Sequence, residues 1–320
     1  MLLEGLQLPT KSMHGEPRSK MKRSNQINPL PLHLMLIPGV VVAFIFHYIP
    51  MAGIIIAFQR FIPAKGLFGD QQWVGLRNFT TLLNLPSTFS ILRNTLVIAV
   101  MKIVLHIVIP VTVALMLNEV RSMRVKRIIQ NMIYLPHFLS WIIFGGILMD
   151  ILSPSNGIIN NIIRSLGGNP IYFLGEPNLF PFVIVFTDSW KGFGYATIIY
   201  FAALCNIDPT LYEAAAIDGA KRIQCMWHIT LPGISSTIIL LATLSLGSIL
   251  SAGFEQIFVL YSPQVYSTGD IIDTFVYRMG LINAQYSLAT AVGLMKSGVS
   301  MFLIMISYYL AYRFADYRIF

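Results

Sequence analysis

From Leu32 to Phe58 the chain runs for 27 residues without an Asp, Glu, Lys or Arg. At about 1.5 Å per residue, a helix of that length covers the roughly 30 Å of bilayer hydrocarbon with allowance for tilt. In hydrocarbon an open segment can satisfy its backbone amides only as a helix, so the stretch predicts a membrane span, bent near Pro38 and Pro50. The pattern recurs. Further spans are expected at about Ser90 to Leu117, Ile128 to Ile151, Asn178 to Leu204, Gly233 to Leu260 and Tyr286 to Arg313. Of 320 residues, 55% are hydrophobic and only 11% charged, too much apolar surface for one water-soluble core. The expectation is an all-α polytopic membrane protein with six transmembrane helices over residues 32–313, between tails 1–31 and 314–320.

The formal net charge of +8 admits a nucleic-acid partner in principle. No basic face interleaved with aromatic residues supports one, and the cations sit in short runs beside apolar segments, where membrane orientation accounts for them. Thirteen of the 22 Lys and Arg fall in the two tails with the adjoining Arg313, the turn after the second span and the segment 205–233. Six fall in the alternate segments and their margins, and Lys102, Lys191 and Lys296 lie within spans. This bias places both termini and the segment 205–233 in the cytoplasm. Residues 1–31 lack the apolar core and small-residue cleavage site of a removed signal peptide, so the first span is expected to be kept. Cys205 and Cys225 form neither a disulfide framework nor a metal site, and both are expected to face a reducing cytoplasm.

Glu213 to Pro232, EAAAIDGAKRIQCMWHITLP, is a polar-to-amphipathic interruption in this apolar chain. Asp208 supplies a capping carboxylate, Pro209 fits a first helical turn, and Leu211 to Asp218 contains good helix formers. Gly219 can end that helix in a left-handed conformation, and a second short helix is expected over Lys221 to His228. Small alanines let another backbone come close, while Glu213 offers a charge that an arginine can grip at two points. Such a helix suits a partner's groove.

These residues carry a family resemblance. Glu213, Ala214 and Ala215, Gly219 six positions after the glutamate, and Ile229, Leu231 and Pro232 resemble the EAA loop of ABC-importer permease subunits at every defining position. The resemblance implies the type I importer permease fold, in which this loop is a coupling helix docked into a cleft on a cytoplasmic ATPase subunit. Trp73-Val74-Gly75-Leu76-Arg77-Asn78-Phe79 and Asn94-Thr95-Leu96 are similar to the carbohydrate branch of that family. Phe254 to Leu260, Tyr266 to Asp273 and Tyr277-Arg278, with Pro50 to Gly53 and Ala57 to Phe61, resemble the subgroup that moves complex or acidic oligosaccharides, such as alginate-importer permeases. The implied partners are a second, distinct permease subunit, two ATPase subunits, an external solute-binding protein and a saccharide, at a bacterial cytoplasmic membrane. This chain has no phosphate-cradling G-x-x-x-x-G-K-[ST] loop, so no cofactor is expected in it, and ATP and Mg are expected on the partner ATPases.

Polar residues within spans are expensive in lipid and mark a bundle interior or an aqueous path. Lys102 and His106, four apart, share a helix face; Asp188 and Lys191 share another with Tyr195, next to Trp190, and Lys296 lies in the last span. These seven are the candidate substrate path. Asp188 and Lys191 could equally be an internal ion pair, and His106, His137 and His47 could be hydrogen-bonded packing. Three lysines against one mid-span carboxylate favour an anionic saccharide if they line a path; a neutral oligosaccharide is the alternative. An intramembrane hydrolase or a gradient-driven carrier would also have spans with buried charges. No H-E-x-x-H pair, second catalytic aspartate or evident repeat supports either, and no histidine cluster suggests a metal.

Overall fold

The computed structural model describes residues 30–247 and 249–315; most of the tails expected at 1–31 and 314–320 lies outside them. The chain divides into two units, Met1–Ala52 and Gly53–Phe320. In the first, α1 (Leu30–Ala43) passes through Pro38, and a π-helical turn at Phe44–Tyr48 leads into a 3₁₀ stretch beginning at Ile49. Pro50 lacks an N–H and its ring crowds the carbonyl four residues back; the widened turn before it accommodates both. Most of the described side chains of this unit are exposed, Met35 at 78%, a surface suited to lipid or another apolar partner.

The second unit is built on helices. Its main ones are α2 (Pro86–Glu119), α3 (Met123–Tyr134), α4 (Trp141–Leu152), α5 (Ile158–Ser165) and α6 (Phe180–Cys205), followed by α7 (Pro209–Ile217), α8 (Leu231–Gly247), α9 (Phe254–Leu260), α10 (Ile272–Tyr277) and α11 (Tyr286–Ala315). A two-residue hairpin, β1 (Gln59–Arg60) on β2 (Gln72–Trp73), pairs Gln59 with Trp73. Helices α2 and α6 form the centre. Ile98 and Ala99 of α2 pack with Ile184 and Val185 of α6, and Phe144 of α4 and Ile257 of α9 close the cluster. Nearer α7, Val111, Ala114, Tyr200, Leu204 and Ile234 join α2, α6 and α8. Lipid tails are as apolar as these side chains, so close packing and small residues, more than water exclusion, must hold such helices together. Gly194 provides one close approach: a Cβ there would overlap the backbone carbonyl of Ile133 on α3.

Among the described residues, four segments are long and apolar enough to cross a membrane: His33–Phe58, Pro86–Glu119, Arg222–Gly247 and Tyr286–Tyr309. Two expected spans differ from the sequence reading. The third is two helices, Met123–Phe138 and Trp141–Leu152, bent by 103°, and would be a fifth crossing if counted as one broken span. Pro136 draws the first into a 3₁₀ turn, and Ser140 starts the second by accepting a hydrogen bond from Ile143 N at 3.3 Å. The fifth was expected from Gly233 to Leu260; instead the continuous helix starts at Arg222 and stops at Gly247, and α9 is separate. Gly253, at φ +95°, turns the chain into α9, a conformation open to glycine. Helix α6 is long enough at 26 residues. Its polar stretch Asp188 to Gly194 dilutes its apolar run, so six crossings are not established by length and apolarity alone.

Gly194→Ala is expected to destabilise the α3–α6 contact by about 1–3 kcal/mol, read as a lower thermal-aggregation midpoint of the detergent-solubilised protein. Gly146→Ala, where nothing lies within 4 Å of the added Cβ, should leave the midpoint nearly unchanged.

Candidate functional site

The segment after α6 forms as its local chemistry dictates. Asp208 Oδ1 accepts from Thr210 N at 2.9 Å and caps α7. The Thr210 backbone and hydroxyl hold that carboxyl below its usual value, so the cap is charged at neutral pH and is lost only as pH falls through the depressed value. At the other end Gly219, φ +73°, donates to Ala216 O at 3.1 Å, and Ala220 N donates to Ala215 O at 2.9 Å. This paired closure satisfies two terminal carbonyls of α7. The expected second short helix is not independent: Arg222–Cys225 runs through a π-turn, Met226–Thr230, into α8. That turn precedes Pro232, as the one in the first unit precedes Pro50.

The predicted coupling residues have two kinds of environment. Glu213, Ala214, Gly219 and Pro232 are exposed and Ala215 is half-buried. Ile229 is also half-buried, and Leu231 packs on the Val111–Ile234 cluster, so these two seat the segment. Tyr212 Oη lies 3.0 Å from Thr230 Oγ1, tying α7 to the foot of α8. Sequence reasoning passed over Ile217, 88% exposed, Ile223, 68%, and Trp227, 61%. The available signal was large apolar residues inside a polar loop. Trp227 and Tyr212 also line a groove of about 860 Å³ running to Val108 and Val111 of α2.

In the helix bundle, Lys102 is a hub. It is 7% exposed, and its Nζ donates to Ala252 O at 2.8 Å and Gln256 Oε1 at 2.6 Å, with Asp188 Oδ1 at 3.4 Å. The Gln256 amide in turn donates to Ile184 O at 2.8 Å and Thr187 Oγ1 at 2.9 Å. His106 Nε2 sits 3.0 Å from Asp188 Oδ2 as a charge contact without a well-aligned hydrogen bond. Lys102 and His106 therefore share the face their spacing predicts. The Asp188–Lys191 pair does not form. Lys191 instead donates to His137 O at 2.9 Å and lies 5.3 Å from the Trp141 ring centroid, while His137 stacks on Tyr195 at 4.3 Å. Trp190 is 40% exposed and packs on Phe144. Lys296 pairs with Asp273 at 2.5 Å and lines a second cavity together with Ser251. Lys102, His106, Asp188, Ser245, Ser251 and Gly253 line a polar cavity of about 290 Å³.

The other motif stretches brace this arrangement. Asn78 Nδ2 donates to Ala57 O at 2.8 Å, and Trp73 stacks on Phe58 at 5.8 Å. Asn94 Nδ2 donates to Ser267 O at 3.0 Å, Thr95 Oγ1 accepts from Ile272 N at 3.0 Å, and Arg278 grips buried Asp270 at 3.1 and 2.5 Å.

Residues 106–319 match the family described as binding-protein-dependent transport system inner membrane component. The chain is 44% identical over 283 residues to the protein LplB of Bacillus subtilis (strain 168), covering 88% of this chain and 89% of that one. It is 41% identical over 285 residues to the polygalacturonan/rhamnogalacturonan transport system permease protein YteP of the same organism, covering 89% and 88%. A crystal structure of a bacterial ABC transporter involved in the import of the acidic polysaccharide alginate superposes with TM-score 0.83 at 37% identity, over 89% of this chain and 96% of that one.

Lys102→Ala would strand Asp188 and Gln256 in a buried site and is expected to cost about 3–5 kcal/mol. The Lys102→Met/Asp188→Asn double variant should lose less than the two single changes summed, measured as thermal-aggregation midpoints in detergent.

Proposed function

The chain belongs to the family of binding-protein-dependent transport system inner membrane components, the permease subunits of ABC importers for sugars, and on that premise we propose that it admits an acidic oligosaccharide. The observation that carries this reading is the chain's similarity, over about nine-tenths of its length, to permeases of two uronate-polymer transport systems, one for polygalacturonan/rhamnogalacturonan and one for alginate. The lysines refine it. Lys102 and Lys296 each have an aspartate, whereas Lys191 has no carboxylate partner among the described residues and lies beside exposed Trp190 and Tyr195. A carboxylated sugar ring offers Lys191 the missing charge and the aromatic rings an apolar face. In this reading Lys191, Tyr195, Trp190, His106 and Asp188 line the path, and Lys102 and Lys296 hold its walls. Alginate is the finer proposal.

The partners follow from the same premise: a distinct second permease, two ATPases carrying ATP and Mg, and an external binding protein. Both termini and α7 face the cytoplasm of a bacterial cell. Glu213, Ala214, Ala215, Gly219 and Ile217 meet the ATPase cleft, with Ile229, Leu231 and Pro232 setting their angle. ATP-driven closure moves α7, and the Tyr212–Thr230 bond passes the motion to α8.

ATP hydrolysis by the reconstituted assembly, with binding protein and either trigalacturonate or neutral arabinotriose, tests the substrate class. Stimulation by trigalacturonate is expected, reduced roughly tenfold in Lys191→Gln by loss of a charge-assisted bond; stimulation by arabinotriose alone would overturn the acidic reading. Glu213→Ala should abolish sugar-stimulated hydrolysis while leaving membrane insertion intact; unchanged stimulation and uptake in that variant would remove its coupling role.

A further inference from the structure

At the end of the bundle away from α7, helix α9 has two unlike faces. Gln256, Ile257 and Leu260 are buried against α4 and α6. Phe254, Phe258 and Tyr261, spaced four and three apart, lie on the other face, which Tyr277 of α10 joins from the side. Phe254 and Phe258 stack at 5.3 Å, Phe258 meets Tyr277 edge-on at 4.7 Å, and Tyr261 continues the row at 6.3 Å from Phe258. Phe258 is 39% exposed.

The row starts where the polar cavity ends. Gly253, which lines the cavity with Lys102, His106 and Asp188, is the residue immediately before Phe254. Exposed Glu255 follows Phe254, and exposed Ser251 lies on the cavity rim. A carboxylate and a hydroxyl there argue against a lipid-facing surface, since hydrocarbon penalises unpaired polar groups heavily. An aromatic row that is exposed at Phe258, half-buried at Phe254, Tyr261 and Tyr277, and begins one residue beyond a polar cavity suits a ligand that is apolar on its ring faces and polar at its edges. Pyranose rings have that character: their C–H faces pack on aromatic rings while their hydroxyls and carboxylates remain in water.

We propose that Phe254, Phe258, Tyr261 and Tyr277 form a saccharide-stacking track that leads an oligosaccharide into the Lys102–His106–Asp188 cavity. The track rests on the importer reading above and extends it to residues beyond the path proposed there. Stacking is sequence-tolerant, so the track would hold successive sugar units while selection is made deeper, around Lys191. Glu255 at its edge keeps an acidic chain from settling too firmly, because like charges repel.

The test is uptake of trigalacturonate into proteoliposomes holding the full assembly with its binding protein, or of arabinotriose if the wild type carries only that. Phe258→Leu preserves apolar bulk but removes the π face, and is expected to slow uptake roughly three- to tenfold, with Phe258→Trp restoring it. Phe254→Leu and Phe254→Trp should behave alike. Only assemblies that co-purify with partner permease and ATPases are compared. Leucine variants that match the wild type overturn the track, and so do leucine and tryptophan variants equally impaired, which would mean that the rings pack on protein. A wild type that takes up neither sugar removes the saccharide-importer reading itself, and the track with it.

Discussion

A lysine ammonium within a membrane bundle is costly unless its charge and its N–H bonds find partners, and Lys102 finds them by drawing together three parts of the chain. It donates to the Ala252 carbonyl and to Gln256 on α9, and its charge is paired with Asp188 on α6. Gln256 in turn donates both amide hydrogens to α6, so α2, α6 and α9 are joined in one network. The corner between α8 and α9 follows from this. With the Ala252 carbonyl turned to Lys102, it is not available to a continuing helix, and a Cβ on Gly253 would come 2.7 Å from the same Nζ. One polar residue thus ties α2 to α6 and holds the Ala252–Gly253 turn into α9.

Helix α8 connects that corner to the opposite end of the bundle. Its 17 residues span about 25 Å. At its foot, the π-turn and the Tyr212–Thr230 contact fasten α7; at its head lie the polar cavity and the aromatic row of α9. A force applied to exposed Glu213 and Ile217 has a short, hydrogen-bonded route to the cavity wall. This is the mechanical requirement of an importer in which ATP is hydrolysed on one side of the membrane and sugar is admitted from the other.

Helix α7 and its two ends were legible in the sequence, because their signals are local. Asp208 caps within two residues, Gly219 closes α7 within four, and the run of alanines needs no distant partner to be helical. The apolar spans were legible for a related reason: hydrocarbon imposes one demand on every residue in turn. What failed were readings that depended on where two distant segments meet. Asp188 and Lys191 are three apart, yet one faces α2 and the other the His137 carbonyl, since the group that satisfies each lies dozens of positions away. The end of α8 and the 103° bend after Phe138 were missed although Gly247, Ser251 and Gly253, and Pro136 and Ser140, mark them, because such residues are also tolerated inside a membrane helix.

By itself, then, the sequence determined a helical membrane permease with an EAA-type coupling loop, because hydropathy, capping and fixed short spacings act within a turn or two of the chain. Only the tertiary structure decided which intramembrane lysines are neutralised, which one has no carboxylate partner among the described residues, and where aromatic rings of α9 and α10 align. Those outcomes depend on pairings across separations such as the 154 positions from Lys102 to Gln256, which no local pattern encodes.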